Sequence, residues 1–465
     1  MKRRNFIAGV TGSIAYSVLA ACYKEYPDVS QNALKGTLED AANGTSTRYP
    51  LRIPGGASPY GLNLTAAPTT SDLGGGNISN VWAYNGQFPG PTLRANSGDS
   101  PSIVFHNNLG KESIVHWHGM LVNHANDGQP DEVIQPGATY PYNFTINQRA
   151  ALNWYHPHPH MLTGEQVYYG LAGAFIINDA EEAALNLPSG KFEVPLIFRD
   201  ATLDSAGNLN YKPKSGGFLG NIPLVNGTMN PYLKVKKAVY RFRMLGGANA
   251  RIFGLTLDNG APMTLIGNDG GLLTSASNQT RLDIAGGERL DVLIDFRNYA
   301  AGTKIMLKDA RSGWNLLQFK VADSPVVSFG GLPGTLSTIN SLTNPVTTRE
   351  FSFDGMSKIN GQVYDMNRID FTVPFGQVER WRFRTSGNAP HPVHIHGAHF
   401  QVMSRSGGRA QLFPWEAGWK DTVLLEDLET VEVLIKFTAY KGVYLIHCHK
   451  LEHEDMGMMS NFEVV

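Results

Sequence analysis

The chain has 465 residues and balances 39 Lys and Arg against 40 Asp and Glu. That leaves no basic surplus to displace counterions, so nucleic acid is excluded as a main partner. Charged residues make up 17%, below the roughly 25% of an average soluble protein, and 50 Gly with 26 Pro suit a turn-rich all-β chain. An apolar content of 42% excludes wholesale disorder. The two cysteines, Cys22 and Cys448, exclude a disulfide scaffold and a Cys-rich zinc module.

Residues 1–22 read as an address. The basic start Lys2-Arg3-Arg4 leads into a mildly apolar run from Phe6 to Ala21. That run is shorter than the ~20 apolar residues of a membrane span and fits the core of a signal peptide. Arg3-Arg4-Asn5-Phe6-Ile7 resembles a twin-arginine export signal, although Lys2 stands where that pattern usually has Ser or Thr. Leu19-Ala20-Ala21-Cys22 resembles a bacterial lipobox, which would put a lipid on Cys22 and tether the protein to a membrane. An ordinary signal with a chance cysteine is the other reading. Either way the chain is expected to be exported, to the periplasm or cell envelope. Residues 23–50 are polar and mixed, as a tether would be.

From there, short β-rich runs alternate with Gly, Pro, Asn and Asp turns, and no long stretch keeps a helical period. Ser102-Ile103-Val104-Phe105, Tyr240-Arg241-Phe242-Arg243 and Arg380-Trp381-Arg382-Phe383 are examples. Two landmarks recur in the same order, three times. Asn85-Gly86, Asn226-Gly227 and Asn360-Gly361 each precede an extended run. Runs ending at Phe144, Phe296 and Phe437 follow near the end of each unit. A repeat of roughly 140 residues predicts three consecutive β-sandwich domains, at 51–180, 181–325 and 326–465.

All 14 histidines fall within 106–160 and 391–453, and the middle unit has none. They cluster as His116-Trp117-His118, His156-Pro157-His158-Pro159-His160, His391-Pro392-Val393-His394-Ile395-His396, and His447-Cys448-His449 followed by His453 and Met458. Side chains two apart on a strand share a face, so each His-x-His presents two imidazoles together. One such pair is usually a surface or core pair. Four of them converging exceed what one ion takes, which points to a multinuclear metal cluster. His391, Cys448, His453 and Met458 add two imidazoles, a thiolate and a thioether, the set of a blue-copper electron-transfer site. Cys448 should face away from His447 and His449. A metal on its sulfur would then connect through short backbone paths to metals held by both neighbours. His106, His124 and His399 stand apart and read as structural, and His160 reads as lying behind the ligands.

HWHG (116–119), WYHPH (154–158), HPVHIHG (391–397) and HCHKLEHEDMGMM (447–459) together resemble the four motifs of the multicopper oxidases, over about residues 50–465. The resemblance implies three cupredoxin-like Greek-key domains and four copper ions: one type 1, one type 2 and a type 3 pair. It assigns His391, Cys448, His453 and axial Met458 to type 1, and His116 and His394 to type 2. It gives the type 3 ions His118, His156 and His449 on one side, and His158, His396 and His447 on the other. The cluster would lie between the first and third units, with a structural role left to the middle one.

Reducing dioxygen to water consumes four protons, so ionisable groups are expected beside the cluster. Asp127 and Glu454 match acidic positions that assist proton delivery in similar enzymes. A turn residue before Gly128 and a solvated carboxylate are their plainer readings. Asp421 is weighed as a further acid behind the ligands and is not expected to be one. The donor is expected to be a small phenol or aromatic amine. Thirteen Met without a Met-rich run, and Gly387-Asn388-Ala389-Pro390 before His391, weigh against a cuprous or other metal-ion oxidase, the alternative. A nitrite reductase would lack the type 3 sets, and a scaffold without activity would have lost its ligands. Three units in one chain can build the cluster unaided, so a monomer is expected.

Overall fold

The structure, a computed structural model, describes residues 47–385, 387 and 390–465. The expected signal peptide, Cys22 and most of the expected tether lie outside the described residues. Among the described residues no helix is long and apolar enough to cross a membrane.

The chain is all-β, built as three cupredoxin-like Greek-key sandwiches of two sheets each. In each unit a strand pairs in parallel with a second, which pairs antiparallel with a third. The sets are Tyr60–Asp72, Ser102–Asn107 and Thr139–Asn143; Glu193–Ala201, Val239–Gly246 and Arg289–Asp295; Thr347–Asp354, Val378–Arg384 and Glu429–Lys436. Both landmarks predicted from the repeat fall at equivalent places.

The Asn-Gly landmark has a physical basis. Asn85, Asn226 and Asn360 have φ of 50°, 49° and 51°, and the glycines after them 69°, 70° and 75°. Two successive left-handed residues make a type I′ turn, for which Asn-Gly is the favoured pair. Each Asn side chain then clamps the neighbouring strand. Its carbonyl oxygen accepts from the backbone N–H of Thr65, Ile197 or Ser352 at 2.7–2.8 Å. Its amide donates to the carbonyl two residues earlier, of Asn63, Pro195 or Glu350, at 2.9–3.1 Å.

Alternation sorts the strands' side chains. In Val378–Arg384, Glu379, Trp381 and Phe383 point inward. The buried Glu379 is satisfied by Arg349 and the Trp381 indole N–H. The third unit's core holds Val393, Ile395, Tyr444, Ile446, Cys448 and Met458. His394, Leu445 and His447 therefore occupy the opposite faces of their strands, His391–Ile395 and Gly442–Cys448. The first unit does the same: Trp117 and Tyr155 enter its core, leaving His116, His118 and His156 on the far face.

One boundary differs from the expectation. The tether does not run to residue 50. Tyr49–Pro50 is a strand paired in parallel with Pro231 and Tyr232, so the chain enters the fold through the middle unit's sheet. Leu51 follows it into the middle unit's core.

Candidate metal centre

Strand register assembles the histidines. His116 lies directly opposite His156 on the antiparallel strands His116–His118 and Ala151–His156. His394 lies opposite His447, and Val393 opposite Cys448, where His391–Ile395 meets Gly442–Cys448. The two histidine faces then pack against each other. His116 stacks on His396 with ring centroids 3.9 Å apart, and His118 on His394 at 3.7 Å. His158 meets His396 at 5.3 Å and His447 at 4.9 Å. His449 meets His118 at 4.9 Å and His156 at 5.3 Å. Eight rings, four from each outer unit, thus form one buried cluster.

Their nitrogens are arranged to receive metal. His116 Nε2, His394 Nε2, His118 Nδ1 and His156 Nε2 are buried without a hydrogen-bond partner, as are both nitrogens of His449. The Nε2 atoms of His158 and His396 lie 3.4 and 3.1 Å from that of His447. Buried imidazole nitrogens are normally paired, and bare ones left facing each other are costly unless something binds between them. Candidate ligand atoms within 4.8 Å of one another group as His116/His118/His156, His116/His394/His396 and His158/His396/His447. Burial, the largest cause, drives the pKa of His116, His118, His156, His394 and His396 well below 6.5, and that of His449 down to about 3. These rings are held neutral, the form that ligates metal.

A second set lies across the strand. His391 Nδ1 and His453 Nδ1 are 3.2 Å apart, and Cys448 Sγ is 3.4 and 3.7 Å from them. Burial pushes the Cys448 thiol up to about 12, so a metal binding there must displace a proton. Met458 is fully buried in the same core, and its carbonyl accepts the Cys448 N–H at 3.1 Å. The donors, two imidazoles and a thiolate with a thioether nearby, fit copper better than zinc. Cys448 on one face and His447 and His449 on the other realise the alternation expected of the strand.

The opposite ring nitrogens are held by an outer layer. Asp127 ends the short helix His124–Asp127, capped by Asn123 and closed by Gly128 at φ 73°. A Cβ at Gly128 would sit 2.2 Å from the Val115 carbonyl, so this turn requires glycine. Asp127 is therefore a turn residue and a partner of the ligands at once. Its backbone carbonyl accepts from His116 Nδ1 at 2.7 Å, and its carboxylate from His396 Nδ1 at 2.7 Å. Glu454 is buried, not solvated. Its oxygens lie 3.3 Å from His447 Nδ1 and 3.5 Å from His158 Nδ1.

Two expectations need correction. Asp421 does stand behind the ligands. Its carbonyl accepts from His394 Nδ1 at 2.8 Å, and its carboxylate lies 3.1 Å from His118 Nε2. The middle unit does more than support. Its Arg289 grips both Asp421 oxygens, one at 2.6 Å. Its Gly287, at φ 83°, is so close that a Cβ would lie 3.0 Å from both His118 and His449. Sequence reasoning missed Arg289 because its partner is 132 residues away. The available signal was weak: an arginine opening a strand, Arg289–Asp295, that also carries Asp291 and Asp295.

The remaining histidines lie outside these groupings. His106 bonds Asn63, His124 the Val443 carbonyl, and His399 the Gly119 carbonyl. His160 packs on Tyr364. A shallow crevice lined by His116, His394, His396 and His399 lies beside Asp421.

Comparison with known proteins agrees with this geometry. Two family models, each described as multicopper oxidase, match residues 65–182 and 332–465. A multicopper oxidase of Staphylococcus haemolyticus is 37% identical over 402 residues, 83% of this chain and 85% of the relative. A bilirubin oxidase of Albifimbria verrucaria is 35% identical, over 84% of this chain and 73% of the relative. The crystal structure of a laccase from Pediococcus acidilactici superposes with a TM-score of 0.84 at 34% identity, covering 90% of this chain and 94% of that one. The chain belongs to the multicopper oxidase family: it is a copper-dependent oxidoreductase with dioxygen as electron acceptor.

Proposed function

We propose that the protein is a laccase-like oxidase of phenolic and aromatic donors. His391, Cys448, His453 and Met458 would hold a type 1 copper. His116 and His394 would hold type 2, and His118, His156, His449 and His158, His396, His447 the type 3 pair. Four coppers so held supply one-electron redox chemistry, enough to store the four electrons that dioxygen needs. The observation that carries this reading is the meeting of eight imidazoles, each with a buried nitrogen that has only another of these rings or no partner.

The protein's own part is positional and protonic. Asp127 anchors the Nδ1 sides of His116 and His396, and Glu454 stands within 3.5 Å of those of His447 and His158. Asp127 Oδ1 has no aligned donor and burial raises its carboxyl, which leaves it open to hold a proton within reach of the ligand rings; Glu454 stands beside them as a second carboxylate. The domains are proposed to span 51–180, 181–325 and 326–465. Export as a monomer on the 1–22 signal, with lipid on Cys22, completes the reading.

Initial rates on a phenol, an aromatic amine, Cu(I), Fe(II) and Mn(II), at matched copper loading, test the donor. Turnover of the organic donors is expected; turnover of Cu(I) alone would sink the laccase reading in favour of a metal-ion oxidase. Metal analysis should find about four coppers per chain. Cys448→Ser should remove the blue thiolate-to-copper band altogether, and a surviving band would refute the type 1 assignment.

A further inference from the structure

Lys450, two residues beyond Cys448, is given no part in the reading above. Its side chain is buried, with the residue only 4% exposed. The stem runs against Gly217, where a Cβ would come within 2.8 Å of Lys450 Cδ. The ammonium has the Gly216 carbonyl at 3.4 Å, and the backbone N–H of Lys450 lies 3.4 Å from Cys448 Sγ.

The nearby carboxylates are occupied elsewhere. Glu452 accepts from Tyr211 Oη, the Phe218 N–H and Asn249 Nδ2 at 2.8–2.9 Å. Glu454 faces His158 and His447. Glu426 pairs with Arg311 at 2.8 Å, and Asp427 is exposed to solvent. Among the described residues no carboxylate lies within ion-pair distance of Lys450. With its own backbone N–H on the Cys448 sulfur, Lys450 keeps its ammonium within one side-chain length of the set.

We propose that Lys450 is the electrostatic tuning residue of the type 1 site, its buried ammonium raising the site's midpoint potential. The proposal rests on reading His391, Cys448, His453 and Met458 as the copper set. Reduction adds one negative charge to that set. A fixed positive charge nearby stabilises the reduced form, and more so where burial limits screening. The strap around Gly216 and Gly217, from the middle unit, holds the charge in place. Lys450 thus helps decide which donors can be oxidised, because a higher potential admits weaker reductants.

The test is a redox titration of the blue band in copper-loaded wild type, Lys450→Met, Lys450→Gln and Lys450→Arg. Gln keeps a donor for the Gly216 carbonyl while removing the charge. The band and copper content are expected to persist in all three variants. The midpoint should fall in Met and Gln and stay near wild type in Arg. Rates on a weakly reducing phenol should drop more than rates on a strongly reducing aromatic amine. An unchanged or higher midpoint in both neutral variants overturns the tuning role and leaves the site assignment intact. A copper-loaded wild type without a blue band overturns the assignment and the proposal with it.

Discussion

Asp127 and Asp421 hold equivalent positions on opposite sides of the histidine cluster. Each uses its backbone carbonyl to orient a histidine of its own unit, His116 or His394. Each turns its carboxylate to a histidine of the other outer unit, His396 or His118. The oriented rings stack as two crossed pairs, so the two outer units meet in an approximate two-fold arrangement. The counter-charges break that symmetry. Asp421 is clamped by Arg289 of the middle unit, and Thr422 Oγ1 adds a hydrogen bond at 2.9 Å. Asp127 has the neutral amide of Gln129. Burial would raise both carboxyls. It does so for Asp127, whereas at Asp421 the Arg289 guanidinium outweighs burial and holds the group below the usual carboxylate range. One side of the cluster carries a locked charge, and the other a carboxyl that can take up a proton.

The largest test removes the lock. Arg289→Met leaves Asp421 buried without its counter-charge, a loss worth about 3–5 kcal/mol. Denaturant unfolding should show that loss, with reduced copper content. Wild-type stability would mean that the clamp contributes nothing. Next, Asp421→Asn and Asp127→Asn should part company. The first should load copper poorly, because His118 then loses its carboxylate partner and Arg289 keeps only the more distant Asp269. The second should load fully yet reduce dioxygen more slowly, by about 10² on the scale of lost proton transfer. Identical behaviour of the two variants would erase the contrast drawn between them. Glu454→Gln should leave the blue copper intact and slow dioxygen reduction by a similar or smaller factor, read by following reoxidation of the reduced enzyme. Full turnover in that variant would remove Glu454 from the proton path.

The smallest effect lies in the acid limb of stability. Asp421 is depressed in the fold, so the unfolded chain binds its proton more readily. Its contribution is complete above its ordinary pKa and shrinks as pH falls below it. The stability gap between wild type and Asp421→Asn should therefore narrow from about pH 4 downward. A gap that stays constant there would contradict the ionised, clamped state.

The gathering of the histidines was legible because strand alternation converts His-x-His into a chemical statement without knowledge of the fold. The triple repeat was legible because Asn-Gly is nearly dictated by a type I′ turn, and the clamp made by each Asn explains why it recurs at one place. The outer layer was less so. Asp127 and Glu454 sit beside ligand motifs in the chain. Asp421 acts on His394 through pairing between Thr422–Leu425 and His391–Ile395, and no spacing rule gives that register. Arg289 and Gly287 belong to a unit without histidines, and their importance comes only from how three sandwiches pack. Tyr49–Pro50 was read as tether because a two-residue strand has no period to detect.

The even division of the eight rings between the outer units also has a thermodynamic side. His158 and His394 are joined by roughly 235 residues of chain, and metal bound across the cluster would close that loop as a cross-link does. On the chain-entropy scale used for disulfides, closing a loop this long is worth roughly 5 kcal/mol. The described fold has a single cysteine, Cys448, and so cannot form such a bridge from sulfur. Copper would then act as the molecule's staple as well as its redox centre. Apparent resistance to unfolding should rise with free copper concentration by mass action.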